Sequence, residues 1–364
     1  MPTLQPHARI TAPDAAGRSA ADHTRVWPAI LALFVLAPVT AEVLSGSTPI
    51  LAFVTHPIVS CLNFPLYGCG ALLVREVARR RSLGWASVLW MGAAYGVFEE
   101  GVVLNTWADP WAHPVCTVTR GVMSGLCDYS RVGGINLLWA LGLTAYHAVI
   151  SMTIPILLVE LAFPRCAMLP WLDHKAVRAC VASELVVLAL GLALNFADFR
   201  QHGQAGPLLG PYLIEIALMA GCIALALLLR PRAGSHSTRG APKLWLLRLL
   251  GFLGVVLLIV TPSIDKGSHV PYRIALALNA TIVALAIWRL TSWSRRAGWS
   301  ERQMLALASG ALGFFIFFWD PLLELSGQAG GNPTRGTALV GLAYLIGLIV
   351  LAGRTQRRWR QQSA

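Results

Sequence analysis

Charged side chains are scarce in this 364-residue sequence. Asp, Glu, Lys and Arg together make up 13% of the residues, whereas hydrophobic residues make up 56%. With a mean hydropathy of +0.61, this composition excludes an ordinary soluble domain and is typical of a polytopic membrane protein. The sequence also lacks a Walker loop, a dinucleotide-binding fingerprint, an HExxH motif and a GxSxG motif. ATP hydrolysis, redox-cofactor chemistry, gluzincin chemistry and serine-hydrolase chemistry therefore have no support.

Cysteine shows no metal-binding pattern, since no CxxC or zinc-ribbon spacing occurs among the seven cysteines. Cys116 and Cys127 lie in a predicted wet loop outside the membrane. They either form a disulfide in an oxidising compartment or remain two free thiols. The other five lie in apolar runs or in a predicted cytoplasmic loop, and we expect them to be packing residues: Cys61, Cys69, Cys166, Cys180 and Cys222.

Ten apolar segments are long enough to cross a hydrocarbon core about 30 Å thick. The predicted spans cover residues 26–44, 49–74, 84–106, 134–163, 178–197, 207–229, 244–261, 271–290, 303–323 and 337–352. We therefore expect an all-α, multi-pass helical bundle in a lipid bilayer, with no soluble domain. Of the 29 basic residues 26 are arginine, a bias typical of a GC-rich bacterial genome, so the expected location is the bacterial plasma membrane.

The net charge of +12 reflects membrane orientation better than nucleic-acid binding. Basic residues form short clusters between the apolar runs, as the positive-inside rule describes. With both termini in the cytoplasm, 23 of the 29 basic residues fall on the cytoplasmic side. The arginine cluster at residues 75–81 is then expected in the cytoplasm, and no nucleic-acid partner is expected.

The chain divides by composition into two membrane units. Residues 26–229 form a predicted six-helix unit that carries the candidate site, and residues 244–353 form a predicted four-helix unit. Residues 230–243 are the predicted cytoplasmic linker. Residues 354–364 are a basic cytoplasmic tail that can contact anionic lipid. Residues 1–25 have too little apolar content to fold alone and are expected to be a disordered cytoplasmic tail; a cleaved signal peptide is the competing interpretation.

The third predicted span carries two adjacent carboxylates, Glu99 and Glu100. An ionisable side chain inside hydrocarbon costs roughly 2.5–3.5 kcal/mol or more, so such residues usually face a bundle interior or a wet cavity. Gly92, Gly96 and Glu100 share one helical face, which allows a neighbouring helix to approach closely. Adjacent helical residues point about 100° apart. We therefore expect one glutamate to enter a central site and the other to bind a neighbouring helix.

The fourth predicted span places Thr144, His147 and Ser151 on one face. Pro155 leaves the carbonyl of Ser151 without its helical donor, which favours a kink below His147. His147 could be a neutral metal ligand, a proton carrier or the hydrogen-bond partner of a glutamate. Counting residues along the predicted spans places further ionisable groups in the outer half of the membrane or at its outer surface. Their depth allows a shared polar centre: Glu42, His56, Asp198, Glu215 and Asp320.

The paired glutamates and the histidine of the following span resemble the CAAX-processing and bacteriocin-processing family of intramembrane metalloproteases. The first motif of that family is two glutamates with an arginine four residues beyond the second. Glu99 and Glu100 match it, and Leu104 stands at the arginine position. The second motif is a phenylalanine four residues before a histidine, which His147 matches with Leu143 at the aromatic position. The third motif, a histidine four residues before Asn or Asp, has no match.

The resemblance covers the third and fourth predicted spans and implies an enzyme that cuts a membrane-proximal peptide. One of Glu99 and Glu100 would act as general base on a water, with His147 orienting or stabilising. A divalent metal such as zinc would be bound by His147, and His56 is a tentative substitute for the missing histidine.

Two other functions use the same residues and stay open. In a proton- or cation-coupled transporter, the paired glutamates with Glu42 and Glu215 would exchange protons or bind a small cation, and His147 would carry protons. Ten spans favour this function, whereas no convincing internal repeat supports it. In a non-catalytic membrane scaffold, the polar residues would only hold helices together.

Overall fold

The computed structural model describes residues 20–111, 129–229, 237–326, 328–329, 332–333 and 336–363. The candidate disulfide partners Cys116 and Cys127, most of the predicted N-terminal tail and the first part of the predicted linker lie outside these residues.

The predicted all-α class is confirmed. The α-helices of the described residues are Ala20–Pro38, Ile50–Thr55, Pro57–Asn63, Gly70–Arg80, Trp85–Gly96, Leu137–Tyr146, Ile154–Ala162, His174–Gln201, Leu209–Leu228, Leu244–Gly267, Tyr272–Trp293, Glu301–Phe314, Asp320–Ser326 and Thr337–Ser363. Short π-helices, in which the hydrogen bond skips one more residue than in an α-helix, cover Val39–Val43, Phe64–Cys69, Val97–Val103, His147–Thr153 and Phe315–Trp319.

Strands are minor in the part of the chain that the structure describes. Arg131–Val132 pairs antiparallel with Ile135–Asn136, and Gln328–Ala329 pairs antiparallel with Asn332–Pro333. Ser237–Gly240 pairs in parallel with Arg296–Ala297. The first hairpin immediately precedes the helix Leu137–Tyr146, which leads to His147. Asn136, the last residue of the hairpin, is the N-cap of that helix.

Nine helices among the described residues are long and apolar enough to cross a membrane. They are Val26–Val43, Pro57–Arg80, Leu137–Ala162, His174–Gln201, Leu209–Leu228, Leu244–Thr261, Tyr272–Trp293, Glu301–Leu325 and Thr337–Gln361. The remaining predicted span is helical over residues 85–103 but is not among the nine. It carries both glutamates and several glycines, so its mean hydropathy is lower. We call residues 85–103 the glutamate helix and Leu137–Ala162 the histidine helix.

The second predicted span is interrupted near its start. His56 adopts an extended conformation, with φ −105° and ψ 96°, between the helices Ile50–Thr55 and Pro57–Asn63. A residue before proline avoids the helical region because the proline ring clashes with it. Pro57 therefore begins the membrane-length helix, and the first part of the predicted span is a separate short helix.

The two predicted membrane units share buried apolar contacts. One core cluster joins Leu44, Ile150 and Leu158 from the first unit with Leu312 and Tyr344 from the second. A second cluster lies within the first unit, where small side chains of the first helix, such as Ala29 and Ala37, are completely buried and permit close helix packing. Close packing around the histidine helix therefore fixes the position of the polar side chains that it carries.

The arginine cluster expected in the cytoplasm lies partly inside the protein. Arg75 is fully buried, and its Nε lies 3.0 Å from a Glu160 oxygen. Arg79 binds both oxygens of Glu160, at 2.7 and 2.6 Å. The Arg75 guanidinium also lies 3.3 Å from the centre of the Trp171 ring. Glu76 accepts the backbone N–H of Trp171 at 2.8 Å. These contacts hold the loop at residues 163–173 against the helix Pro57–Arg80.

The cysteines that the structure describes are all free. Cys69, Cys166 and Cys180 are buried, as expected for packing residues, and Cys222 is half-buried. Burial raises the pKa of the Cys166 thiol, which keeps it protonated and unreactive. Cys61 is exposed, so the packing prediction is wrong at that position.

Candidate Glu–His–Glu site

Glu99, Glu100 and His147 meet in the interior of the bundle. His147 Nδ1 lies 3.1 Å from Glu99 Oε2, and His147 Nε2 lies 3.2 Å from Glu100 Oε1. All three residues are buried. The expectation that the two glutamates contact different partners is therefore wrong. Both lie beside one side chain, because an imidazole has a nitrogen on each of two edges. Glu100 is hydrogen-bonded to Nε2, whereas Glu99 lies beside Nδ1 without a hydrogen-bond partner among the described residues.

All three residues lie on π-helical segments. Glu99 and Glu100 belong to Val97–Val103, and His147 begins His147–Thr153. Pro155 lies in the first turn of the α-helix that follows, so the irregularity predicted from this proline takes the form of a π-helix. A π-helix inserts an extra residue into the turn and often marks a functional site. Here it changes the direction in which the polar side chains point relative to a regular α-helix.

The glutamate helix and the histidine helix approach closely where the sequence has glycine. A Cβ atom added to Gly96 would lie 2.8 Å from the Cβ of His147. A Cβ atom added to Gly92 would lie 3.0 Å from the Cα of Ala148. The predicted close approach at these glycines is confirmed, and it brings the imidazole within reach of both carboxylates.

Hydroxyl groups surround the three central residues. Ser151 Oγ lies 3.0 Å from His147 Nδ1, as expected for residues on one helical face. Thr106 Oγ1 donates to Glu100 Oε2, and the indole N–H of Trp139 donates to Thr106 Oγ1 at 3.2 Å. Glu100 is thus held from two sides, by His147 at one oxygen and by Thr106 at the other.

Glu42 joins the site through Tyr67. The Tyr67 ring stacks on His147, with centroids 6.2 Å apart and planes 14° apart, and its hydroxyl donates to Glu42 Oε1. Thr48 Oγ1 donates to the other Glu42 oxygen at 2.6 Å. Tyr146 meets the edge of the His147 ring at 5.1 Å. Sequence reasoning missed Tyr67, because a single tyrosine in an apolar run is an ordinary pattern.

Glu215 lies beside the glutamate helix, outside the central cluster. It is fully buried, and neither carboxylate oxygen has a hydrogen-bond partner among the described residues. A Cβ atom added to Gly101 would lie 3.1 Å from the Glu215 carboxyl carbon and 3.3 Å from the Trp107 ring. The glycine therefore admits this carboxylate against the segment that carries Glu99 and Glu100.

The structure does not bring the other predicted residues to the cluster. Asp320 is fully buried at the start of Asp320–Ser326, and its Oδ2 would lie 2.7 Å from a Cβ atom added to Gly341. Asp198 is half-exposed and lies 3.7 Å from His202. His56 is exposed at the helix break and contacts Thr55 at 3.1 Å. His56 is therefore not positioned as the substitute metal ligand.

The three central residues fit a divalent cation. One ligand atom from each lies within 4.8 Å of the other two, and no further group of three His, Cys, Asp or Glu ligands meets this criterion in the described ranges. Metal–ligand distances of about 2.0–2.2 Å for zinc require donor atoms within about 4.4 Å of one another, so a small contraction suffices. Two carboxylates and one imidazole suit zinc, manganese or iron.

Comparisons with known proteins give one match. A model described as an uncharacterized membrane protein family matches residues 31–362, which is nearly the whole chain. The comparisons with curated proteins and with solved structures gave no match. The matched residues include every side chain of the Glu–His–Glu site, all of the second predicted membrane unit and all but the first five residues of the first.

Proposed function

We propose that this chain, which belongs to the uncharacterized membrane protein family matched over residues 31–362, is an intramembrane peptidase of the bacterial plasma membrane that resembles the CAAX-processing proteases. One observation carries the proposal: the imidazole of His147 lies between two buried carboxylates, with a nitrogen near each. Burial of a histidine requires a hydrogen-bond partner for each ring nitrogen, and Ser151 and Glu100 already supply these partners. The second carboxylate, Glu99, is therefore more than packing requires, whereas an acid–base site requires groups that hold and move a proton.

Glu100 is the general base in this proposal. About 12% of its side chain is exposed, whereas the Glu99 side chain is completely buried. A water that reaches Glu100 gives its proton to the carboxylate and attacks the peptide carbonyl, forming the new C–O bond. The same proton then passes to the leaving amine as the C–N bond breaks. Thr106 and His147 hold the two Glu100 oxygens in place, which fixes the direction from which Glu100 takes the proton of the water.

Glu99 and His147 support this base. Glu99 lies against Nδ1 of His147, so its negative charge orients the ring and favours the positively charged imidazolium. An imidazolium beside the attacked carbonyl stabilises the oxyanion that forms there. As an alternative to the imidazolium, Glu99, Glu100 and a neutral His147 would hold a divalent ion such as zinc, which would then supply the Lewis-acid polarisation of the carbonyl, with Glu100 as a ligand instead of the base.

Metal content tests the binding part of the proposal. We expect detergent-purified wild-type protein to retain about one divalent ion per chain, measured by inductively coupled plasma mass spectrometry. Glu100→Gln and His147→Ala should lose it, because each removes one of three ligands. Asp198→Asn, which changes a half-exposed carboxylate outside the cluster, is the matched control and should retain the ion. Equal metal content in all four proteins would contradict metal binding at this site.

Cleavage is tested in cells that express each variant. New peptide N-termini in the membrane fraction, measured by N-terminal proteomics, should appear with wild type and Asp198→Asn and be absent with Glu100→Gln. Glu99→Gln should reduce the yield of these N-termini without abolishing it. The variant removes the negative charge beside Nδ1 of His147 but keeps Glu100, the general base. N-termini that persist in Glu100→Gln would contradict the peptidase.

Proton- or cation-coupled transport is the second candidate, favoured by buried carboxylates outside the cluster. Glu184 and Glu215 have no hydrogen-bond partner in the part of the chain that the structure describes, and unpaired carboxylates in a membrane commonly carry protons or ions. Transport predicts that Glu215→Gln slows pH-driven flux in proteoliposomes, with Asp198→Asn as control. Unchanged flux in Glu215→Gln would contradict this candidate.

A further inference from the structure

A groove of about 290 Å³ lies between three helices of the second membrane unit. Its walls come from Leu244–Gly267, Thr337–Ser363 and the helical stretch over residues 301–319. None of the residues of the Glu–His–Glu site lines it. The groove is polar at one end and mostly apolar along the rest of its length, where the Ser309 hydroxyl donates to the carbonyl of Ala306 in its own helix. Its two parts therefore suit chemically different portions of one ligand.

The polar end carries two arginines. Arg248 and Arg302 line it with Thr355 and Gln356, and no Asp or Glu is among the lining residues. Both arginines lie in the first part of their helices, and the other two residues lie in the last third of Thr337–Ser363. All four therefore occupy the same end of the helix group. The distribution of basic residues predicts that this end faces the cytoplasm.

The Arg302 guanidinium is available to an anion. Its Nε is buried and has no hydrogen-bond partner among the described residues, and the group lies over the Trp359 ring at 4.3 Å. The neighbouring Glu301 carboxylate is bound by Arg358 at 3.1 Å. Elsewhere in the structure, Arg79 binds a carboxylate through two nitrogens. A phosphate oxygen would give Arg302 the charged acceptor that it lacks.

The apolar part is long enough for a lipid chain. From Arg302 to Phe317 the helix advances about 22 Å at 1.5 Å per residue, more than half of a hydrocarbon core about 30 Å thick. Leu305 and Leu348 are buried, and Phe317 and Ile349 are exposed at 64% and 62%. Because some of its lining side chains are buried and others are exposed, this part of the groove opens sideways toward the bilayer.

We propose that this groove binds an anionic phospholipid of the membrane. The headgroup phosphate binds Arg248 and Arg302, and one acyl chain lies along the groove toward Phe317. A soluble phosphate would use the arginines alone, whereas a phospholipid uses the basic end and the apolar length together. Basic pockets between transmembrane helices on the cytoplasmic side are suited to such headgroups. The binding site is independent of the proposed peptidase.

Lipid binding is tested on the full-length protein in detergent with defined lipids. We expect native mass spectrometry to show that wild type retains phosphatidylglycerol in preference to phosphatidylcholine. Arg248→Gln combined with Arg302→Gln should lower the apparent affinity for phosphatidylglycerol about tenfold or more, since two charge-assisted contacts are lost. Arg289→Gln is the matched control, because Arg289 is an exposed arginine over the Trp288 ring, outside the groove. This variant should bind phosphatidylglycerol like wild type.

Two further samples keep the test decisive. Arg248 is exposed, so Arg248→Gln alone leaves the packed interior unchanged and should still weaken phosphatidylglycerol binding. Ala352→Phe fills the groove without changing charge and should weaken it as well. Wild-type lipid preference in the arginine variants would overturn the proposal. So would thermal stabilisation by soluble glycerol 3-phosphate equal to that by phosphatidylglycerol, because the apolar groove would then have no role.

Discussion

At the scale of single residues, His147 is distinguished by having a carboxylate at each ring nitrogen. The glutamates and the histidine were predictable from the sequence, because ionisable residues in apolar runs are costly and therefore conspicuous. The contact of both glutamates with one imidazole was not predictable, since an α-helical wheel separates adjacent residues by about 100°. Tyr67 was not predictable either, because its role depends on which ring it stacks against.

Gly96 is the residue that sets the distance between His147 and the glutamates. We expect Gly96→Ala to reduce metal content and peptide cleavage by about tenfold or more, because the new Cβ would lie 2.8 Å from the His147 Cβ and displace the ring. Overpacking should also cost about 1–3 kcal/mol of unfolding free energy. Metal analysis, N-terminal proteomics and thermal unfolding in detergent measure these effects.

Gly142→Ala is the control for that variant. Gly142 lies on the histidine helix, and a Cβ atom there would have nothing within 4 Å. It should therefore leave metal content and cleavage unchanged and raise stability slightly through helix propensity. If both alanine variants behaved alike, close approach at Gly96 would have no part in placing His147.

The Tyr67 hydroxyl is expected to stabilise Glu42. Tyr67→Phe keeps the ring on His147 but removes the donor to a carboxylate that retains only the Thr48 hydroxyl. We expect the free energy of unfolding to fall by about 1–3 kcal/mol, because a half-buried carboxylate loses one of its hydrogen-bond donors. Tyr129→Phe, which removes a hydroxyl that donates to the backbone oxygen of Val270, should cost about 1 kcal/mol. Thermal unfolding in detergent compares the two, and a larger loss in Tyr129→Phe would contradict the prediction.

At the scale of helices, the apolar periodicity located the membrane segments but not the π-helices within them. Val39–Val43, Phe64–Cys69, Val97–Val103 and His147–Thr153 carry Glu42, Tyr67, the paired glutamates and His147. A π-helix shifts the register by one residue, and the sequence pattern of an all-apolar run does not record such a shift. Pro155 was the exception, since this proline predicted an irregularity in its span. Pro57 marks the break at His56 for a similar reason, but the predicted span 49–74 ran through it.

The buried ion cluster is a second element-scale feature that the sequence did not reveal, because arginines at a span end are the ordinary orientation signal. Glu160→Gln leaves Arg75 and Arg79 buried without their shared carboxylate. We expect the free energy of unfolding to fall by about 3–5 kcal/mol, because breaking a buried ion pair leaves a buried charge without a partner. Glu301→Gln breaks a half-exposed pair with Arg358 and should cost at most about 1 kcal/mol. Equal losses in thermal unfolding would show that the buried pairs of Glu160 stabilise the fold no more than the half-exposed pair does.

At the scale of the whole molecule, the number of crossings decides which way the site opens. Nine helices meet the length and hydropathy criterion among the described residues, and an odd number would place the termini on opposite sides. If the glutamate helix also crosses, both termini lie on one side. The positive-inside rule predicts that this side is the cytoplasm, because 23 of the 29 basic residues then lie there. Glu99 would then lie about 21 Å from the cytoplasmic end of its helix, in the outer half of the bilayer.

Reporter fusions measure this directly. A fluorescent protein, which is active in the cytoplasm, should fluoresce when it follows Arg81 or the C-terminal residue, and alkaline phosphatase, which is active outside, should work when it follows Gly203. The glutamate helix and two later crossings lie between Arg81 and Gly203, and five more lie between Gly203 and the C-terminal residue, so the three positions separate ten crossings from nine. Phosphatase activity at the C-terminus together with fluorescence after Gly203 would mean that the glutamate helix does not cross the bilayer. In that case Glu99, Glu100 and His147 would have to receive a peptide from the cytoplasmic side. With ten crossings, the substrate must reach Glu100 from the outer half of the membrane.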